Sequence, residues 1–425
     1  MASRQNYEGT IIARLFNIPP ALRYARYRAY WLGTLASVGG YQMLWFGQGW
    51  LVFELTGSPL YLGYVGLANA SAAIALNQFG GVFADKLDKR KLILVTQLVI
   101  AVLVFALAAL ILTETVRVWH IILIAVVTGA VDAFGQPAHD ALYPHLIPRK
   151  TIVSAVALDQ VAWEGTRIVV PALAGLVVSL AGTATVFFVS GAGFVAMTLV
   201  LLMLDVPKIP ASGVGNPLRD MAEGLRFIGG NTLFRFLIAT LFFNSFFGMS
   251  YLQMMPAFAV DVLEVGADGQ GVLMSVGGVG ALMAILALGS MSGSSYRGPM
   301  VVGGGLAFGL SVTVFALTSQ HVGSYPLALA LMFVMGATSS IYVVAIISSL
   351  QQLVPANMRG RVMGFTSITW YIGPLGAFQT GAIAELVGVS AAVAIGGTLV
   401  TLFALGPTIL NRHVRNLGVI LQERE

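Results

Sequence analysis

Long apolar runs separated by short polar segments repeat along the whole chain. Each run holds about 20 mostly apolar residues, the length that an α-helix needs to cross a bilayer. The pattern predicts twelve such helices, at residues 29–53, 60–84, 92–112, 118–139, 152–180, 184–204, 233–260, 269–292, 300–319, 326–349, 362–386 and 390–410. The sequence therefore predicts an all-α integral membrane protein with twelve transmembrane helices.

The longest polar connection, residues 205–232, separates the first six predicted helices from the last six. Its second half, PLRDMAEGLRFI, has the amphipathic pattern of a helix that lies on the membrane surface. The predicted organisation is an N-terminal segment, a six-helix bundle, a linker with an amphipathic helix, a second six-helix bundle and a C-terminal tail, at residues 1–28, 29–204, 205–232, 233–410 and 411–425.

The two sets of six helices share landmarks at a constant spacing. Gly81 and Gly289, which each precede a loop, lie 208 residues apart, and Pro148 and Pro355 lie 207 residues apart. The sequence therefore predicts a duplicated unit that forms two pseudo-symmetric six-helix bundles. Parallel repeats with a binding site between them are typical of transporters.

Composition and charge agree with a membrane location. Only 10% of the residues are charged and the mean hydropathy is +0.85, whereas about 25% of the residues of a soluble protein are charged. Of the 23 Lys and Arg residues, all but Arg117 and Arg167 fall on the side of the N-terminus. Because Lys and Arg accumulate in cytoplasmic loops, we expect both termini in the cytoplasm.

Charge and cysteine content also limit the partners. The basic residues lie in short loops between apolar runs, so the lipid bilayer is the expected partner and nucleic acid is not. The chain contains no cysteine, which excludes disulfides, thiol catalysis and thiolate metal sites. We expect no metal site and a monomer.

The segment GGVFADKLDKRK, residues 80–91, places a dense charge cluster between two apolar runs. Its basic residues hold the loop in the cytoplasm. That role leaves Gly81 and Asp85 without an explanation. Glycine allows a neighbouring helix to approach closely, and a carboxylate at a helix end interacts favourably with the positive N-terminus of another helix. The segment therefore predicts a latch that closes when the two halves meet on the cytoplasmic side.

The pattern G-x-x-x-D-K-x-D-K-R resembles the loop signature of the major facilitator superfamily. In this chain the signature consists of Gly81, Asp85, Lys86, Lys89 and Arg90. The resemblance implies that this loop is a conformational gate. We expect the gate to close on the start of the penultimate helix, at RGRVMG, which contains Arg361.

Longer blocks are similar to the bacterial exporter branch of this superfamily, which includes the enterobactin exporter and related multidrug efflux proteins. The blocks are YWLGTLASVGGYQMLWFGQGWLVFELTGSPLYLGYVG, PAHDALYPHLIPRKTIVSAVALDQVAWEGTRIVVPALAGLVV and VPANMRGRVMGFTSITWYIGPLGA. The resemblance implies the major facilitator fold, a place in the bacterial inner membrane and transport without a bound cofactor. The proton gradient is the expected energy source.

Four ionisable residues lie within predicted helices, where an unpaired charge is costly and usually functional. They are Asp132, Asp159, Glu164 and Arg167. Helical spacing lets Arg167 pair with Glu164 along its own helix, or with Asp132 at similar depth on the neighbouring helix. Such a pair has three possible roles: proton coupling, a static ion pair, or contact with the substrate.

Other positions mark helix bends and a cavity. RIVVPALAG, with Pro171 and Gly175, resembles an antiporter signature that bends its helix, and Pro374 predicts a second bend. A lining of aromatic and amide side chains suits a bulky amphipathic ligand. The candidate cavity residues are Tyr41, Gln42, Trp45, Asn244, Gln253, Trp370 and Gln379, with Gln48 on the same helix as the first three. For His139 and His145 we expect solvated positions at the end of their helix.

The sequence thus predicts a secondary exporter of a small amphipathic molecule, such as a drug or a siderophore, that works by alternating access. No ATP-binding loop and no hydrolase or metalloprotease motif occurs in the sequence, so we do not expect an enzyme. Two alternatives stay open. One is an importer or uniporter of a metabolite, and the other is a transporter-like sensor that binds its ligand without moving it.

Overall fold

The computed structural model describes residues 19–204, 217–290 and 297–410, without the side chains at 78–86, 217–220, 290, 367 and 406–410. These ranges are almost wholly helical. The long helices are α1 (Ala25–Thr56), α2 (Pro59–Lys86), α3 (Lys89–Leu112), α4 (Val118–Leu142), α5 (Ile152–Ala181), α6 (Thr183–Met203), α7 (Thr232–Val262), α8 (Gly266–Ser290), α9 (Arg297–His321), α10 (Tyr325–Leu353), α11 (Ala356–Val387) and α12 (Val389–Leu410). A linker helix, Pro217–Gly229, lies between α6 and α7.

Each predicted apolar run corresponds to one of these helices. By length and composition, nine helices in the described part of the chain are able to cross a membrane, and α1, α11 and α12 complete the set of twelve. Helices α1 and α11 have the lowest mean hydropathy of the twelve. The prediction of an all-α fold with twelve transmembrane helices is confirmed.

Local sequence explains where several helices begin and end. The Asp88 side chain accepts a hydrogen bond from the Lys91 amide and caps α3. Asn231 caps α7 in the same way, by accepting from the first free amides of the helix. Helix α5 ends at Gly182 (φ +80°) and α11 ends at Gly388 (φ +85°), a backbone conformation that favours glycine.

The two halves use the same helix pairs. In the first half α2 packs along α4, where Gly129 meets the carbonyl of Asn69. In the second half α8 packs along α10, where Gly280 meets the carbonyl of Phe333. Likewise α3 packs on α6 and α9 packs on α12. The halves are therefore two matching six-helix bundles.

Helix α7 is irregular in its second half. It is α-helical over Thr232–Phe243 and then widens to π-helical turns at Asn244–Gly248 and Phe258–Val262. The wide turns expose carbonyls that neighbouring helices approach closely: Gly376 of α11 meets the carbonyl of Phe246. Single π-helical turns within helices are frequent at functional sites.

The antiparallel course of the helices defines two ends. We call the end that carries the α2–α3 and α4–α5 connections and the linker helix the basic end, because most Lys and Arg residues lie there. The opposite end is called the far end.

Candidate transport pathway

The two bundles meet along two helix pairs, α2 with α11 and α5 with α8. Gly66 of α2 faces the carbonyl of Pro374, and Gly271 of α8 faces the carbonyl of Pro171. A side chain at either glycine would collide with the main chain of the other bundle. Both contacts lie in the half of the molecule toward the far end. We call these two matching contact lines the seam.

Polar contacts reinforce the seam. The Ser58 hydroxyl donates to the Glu385 carboxylate (2.9 Å) and joins the start of α2 to the end of α11. The Ala172 amide donates to the Ser275 hydroxyl (3.1 Å) and joins α5 to α8. The far end is therefore closed.

The seam ends near the middle of the bundle. Along α5 and α8, Gly278 still contacts Ile168 and the main chain of Arg167. Gly165, one turn nearer the basic end, has no described atom within 4 Å of the position that a Cβ would take. The same holds for Gly364 of α11. Among the described residues, the close main-chain contacts between the bundles therefore lie toward the far end.

A cavity lies between the bundles where the seam closes. Its lining comes from α1, α2, α4 and α7 and combines apolar, aromatic and amide side chains. The polar and aromatic members are Tyr41, Trp45, Gln48, Asn69, Thr128 and Gln253. This composition is typical of sites for amphipathic small molecules.

The amides of the cavity differ in how they are satisfied. The Asn69 Nδ2 donates to the carbonyl of Ala125 and to Thr128 Oγ1, both at 3.3 Å. Gln48 is 5% exposed, and its Nε2 has no hydrogen-bond partner among the described atoms. Because a buried donor without a partner costs about 1–3 kcal/mol, the Gln48 amide is a group that a ligand would satisfy.

The cavity contains part of the predicted set. Tyr41, Trp45 and Gln253 line it. Gln42, on the same helix as Tyr41, is half-buried and does not line the cavity. Asn69 and Thr128 were not predicted, because a single amide or hydroxyl within an apolar run has no spacing that marks it.

The remaining predicted cavity residues lie elsewhere. Asn244 is fully buried beside Gly305 and the Tyr342 hydroxyl. Trp370 is 64% exposed. Gln379 is half-buried on α11, with its Oε1 unpaired within the described structure.

Asp132 of α4 lies one helical turn from Thr128, on the side toward the basic end. Its carboxylate lies near the Tyr41 hydroxyl. The Tyr41 ring in turn meets Trp163 edge to face, with ring centroids 6.1 Å apart. Among the described side chains, no Lys or Arg forms an ion pair with Asp132.

Arg167 pairs within its own helix. Its Nη1 lies 3.6 Å from Oε2 of Glu164, and both side chains are partly exposed. The same Glu164 oxygen has no hydrogen bond to any described atom. Of the two pairings that the sequence allowed, the structure contains the one along α5. Asp159 lies nearer the basic end, close to Asp140 and Tyr27.

The predicted gate residues fall into three groups. The side chains of Gly81, Asp85 and Lys86 lie outside the described residues, so their roles stay predictions. Arg90 donates through Nε and Nη2 to the last carbonyls of α6, Leu201 (2.7 Å) and Leu202 (2.9 Å), and Lys89 beside it is buried. Arg361 of α11 pairs with Glu223 of the linker helix.

The predicted bend positions lie inside continuous helices, Pro171 and Gly175 in α5 and Pro374 in α11. All three also belong to the seam. Gly175 meets the carbonyl of Ala267, and the two proline carbonyls meet the glycines named above.

The expectation of a solvated His139 is wrong. Its Nδ1 lies 2.7 Å from the Tyr30 hydroxyl and its Nε2 lies 3.3 Å from Nε2 of Gln97. Gln97 in turn accepts from Ser37 (3.0 Å). The histidine therefore joins α1, α3 and α4, whereas His145 is exposed as expected.

Two bundles of six helices, a seam closed on one side and a cavity between the bundles define a transport protein of the major facilitator fold, not an enzyme. Residues 19–417 match the family model described as transmembrane secretion effector. The chain belongs to this family, and it is a multi-pass membrane protein.

Similar proteins agree with this assignment. The chain is 26% identical over 358 residues to the multidrug efflux pump Tap of Mycolicibacterium fortuitum, covering 80% of this chain and 85% of Tap. It is 23% identical over 350 residues to the enterobactin exporter EntS of Shigella flexneri, covering 82% of each. The predicted resemblance to bacterial exporters of this superfamily is confirmed.

The backbone is also similar to that of the nucleoside transporter NupG. The TM-score is 0.68 at 15% sequence identity, covering 94% of this chain and 98% of NupG. The match shows a shared fold.

Proposed function

We propose that the protein is a proton-coupled exporter of a small amphipathic molecule, working by alternating access in the bacterial inner membrane with both termini in the cytoplasm. The observation that carries the proposal is the one-sided seam. From the one-sided seam we infer that the cavity opens at the basic end, and Lys and Arg accumulate on the cytoplasmic side of membrane proteins. In the described state the cavity is therefore ready to load from the cytoplasm.

The export direction rests on this geometry together with the relatives. A cavity that is open to the cytoplasm can start an export cycle by taking up ligand there. Rocking the bundles about the cavity would then open the seam and close the basic end. Tap and EntS are an efflux pump and an exporter, and the chain aligns with them over most of its length.

Proton coupling is assigned to the pair of Glu164 and Arg167. The pair lies where the seam ends, since the main chain of Arg167 contacts Gly278 of the second bundle and its charge acts on Tyr251 of α7. Opening the seam would move these neighbours away from Arg167. A carboxylate that loses its cationic partner away from water binds a proton, and it releases that proton when the partner returns.

Export and coupling can be tested together in everted membrane vesicles with an imposed proton gradient. We expect efflux substrates to enter vesicles that contain the native protein, and a proton flux in the opposite direction. Glu164→Gln should keep substrate binding while uptake becomes independent of the proton gradient. Glu54→Gln is the matched control, because Glu54 is a carboxylate that accepts a hydrogen bond from Thr183 at the far end.

Two results would contradict the proposal. Accumulation only in right-side-out vesicles would show an importer. Gradient-driven uptake that survives in Glu164→Gln would remove Glu164 from the coupling step and leave the ion pair with a structural role.

A further inference from the structure

We propose that the cavity selects organic cations, with Asp132 receiving the positively charged head group, an aromatic wall covering it and the Gln48 amide holding a hydrogen-bond acceptor at the other end of the ligand. The inference rests on the proposed function, since it names the substrate class of the same cavity. It adds a role for an unpaired carboxylate and for an unsatisfied amide.

The first observation is the state of Asp132. It is half-buried, next to cavity residues Tyr41 and Thr128, and it has no ion-pair partner among the described side chains. The Arg167 guanidinium, on the neighbouring helix α5, lies within 4 Å of Glu164 instead. A carboxylate at membrane depth without a cation is costly. A ligand that brings the missing positive charge removes this cost.

The second observation is the aromatic surface around the carboxylate. The Tyr41 hydroxyl lies near Asp132, and the Tyr41 ring meets Trp163 edge to face. Tyr371 of α11 approaches the same carboxylate from the second bundle. Trp and Tyr rings attract ammonium groups through their faces, and the attraction is stronger away from water. Carboxylate and rings together are suited to a substituted ammonium.

The third observation is the unpaired Gln48 donor. Gln48 follows Tyr41 by seven residues on α1, which places it about 10 Å further toward the far end at about 1.5 Å per residue. The surface between these two positions is formed by Leu44, Trp45 and Val65. The matching ligand has a cationic head, a flat apolar body and a carbonyl or ether oxygen roughly 10 Å from the charge.

A pair of isosteric probes tests the head-group site. One probe is a naphthalene methyl ester with a dimethylaminoethyl group on the opposite ring, and the other has CH in place of the amine nitrogen. Both share the apolar body and the ester carbonyl, and only the first is charged at neutral pH. Binding to the full-length protein in lipid nanodiscs is measured by the fluorescence of the naphthalene.

We expect the native protein to bind the amine more tightly than its neutral isostere. Asp132→Asn should weaken the binding of the amine by about tenfold or more, which corresponds to the typical free energy of a hydrogen bond to a charged group. The same change should alter the affinity for the neutral isostere by no more than about twofold. Asp261→Asn, which removes an exposed carboxylate of α7 remote from the cavity, should change neither affinity.

The outcomes separate the alternatives. An equal loss of affinity for both probes in Asp132→Asn would show that Asp132 maintains the shape of the cavity, and it would overturn the inference. Unchanged affinity for the amine would overturn it as well. If the amine binds as expected but vesicles with the native protein transport neither probe, the proposed export function fails and the assignment of the binding site stands.

Discussion

The guanidinium of Arg361 lies 2.7 Å from the carboxylate of Glu223 and joins α11 of the second bundle to the linker helix. Next to the pair, Gly224 of the linker helix packs against Phe365 of α11. The linker helix is therefore attached to α11 of the second bundle, and it also contacts α2 of the first.

The strength of this attachment can be measured by exchanging charges. Glu223→Arg places two cations side by side and should lower the thermal stability of the protein in detergent. Because both side chains are about one third exposed, we expect an effect of about 1 kcal/mol or less. Combining it with Arg361→Glu should restore most of the stability. No recovery in the exchanged pair would show that the ion pair does not hold the linker helix.

The close contacts of the seam predict that one added methyl group, in Gly271→Ala, will disturb closure of the far end. Gly271→Ala should push α8 away from α5, because the obstacle is the carbonyl of Pro171 and main-chain atoms cannot move aside. We expect the far end to open more often and transport to fall. Since the native chain has no cysteine, a single Gln253→Cys reports access to the cavity through labelling with a thiol reagent that does not cross membranes.

Labelling of that cysteine from the far side should rise when Gly271→Ala is added. Gly303→Ala is the control, because this glycine of α9 has open space around it. Equal labelling in the two alanine variants would contradict a seam that depends on close main-chain contact.

Two glutamines on α1 allow a test of which face of this helix lines the cavity. Gln48→Leu should weaken the binding of the naphthalene methyl ester by about fivefold, the worth of one hydrogen bond of about 1 kcal/mol. Gln42→Leu makes the same change six residues earlier, outside the cavity lining, and should leave binding unchanged. The reverse order of the two effects would show that α1 presents a different face to the ligand.

The cap of α7 predicts a local contribution to stability. Asn231→Leu removes the side chain that accepts from the first free amides of α7, and it should lower the free energy of unfolding by about 1 kcal/mol. Thermal unfolding in one detergent compares the variant with the native protein. Unchanged stability would show that the cap contributes nothing measurable.

The fold could be predicted from the sequence because hydrocarbon imposes a simple length rule on each apolar run. The run at 152–180, for example, corresponds to α5 at Ile152–Ala181. The uneven distribution of Lys and Arg between successive loops also predicts which ends of the helices face the cytoplasm. These signals are local, so they can be interpreted without knowledge of the tertiary contacts.

The site was less accessible to sequence reasoning, because which face of a helix looks inward is set by its neighbours. Gln42 and Gln48 are equivalent as amides in an apolar helix, and only the packing of α1 distinguishes them. Pairing across helices has the same limit. The sequence did not indicate that Arg361 pairs with Glu223 of the linker helix. Its predicted contact with the loop at 80–91 stays a prediction, because the side chains at 78–86 lie outside the described residues. His139 was misjudged because its partners come from α1 and α3.

The seam is built largely from peptide groups and glycine surfaces, and this has a consequence for what the protein can carry. Van der Waals contact between main-chain atoms does not depend on which substrate occupies the cavity behind the seam. Substrates of different shape therefore meet the same closed far end, and only the cavity lining discriminates among them.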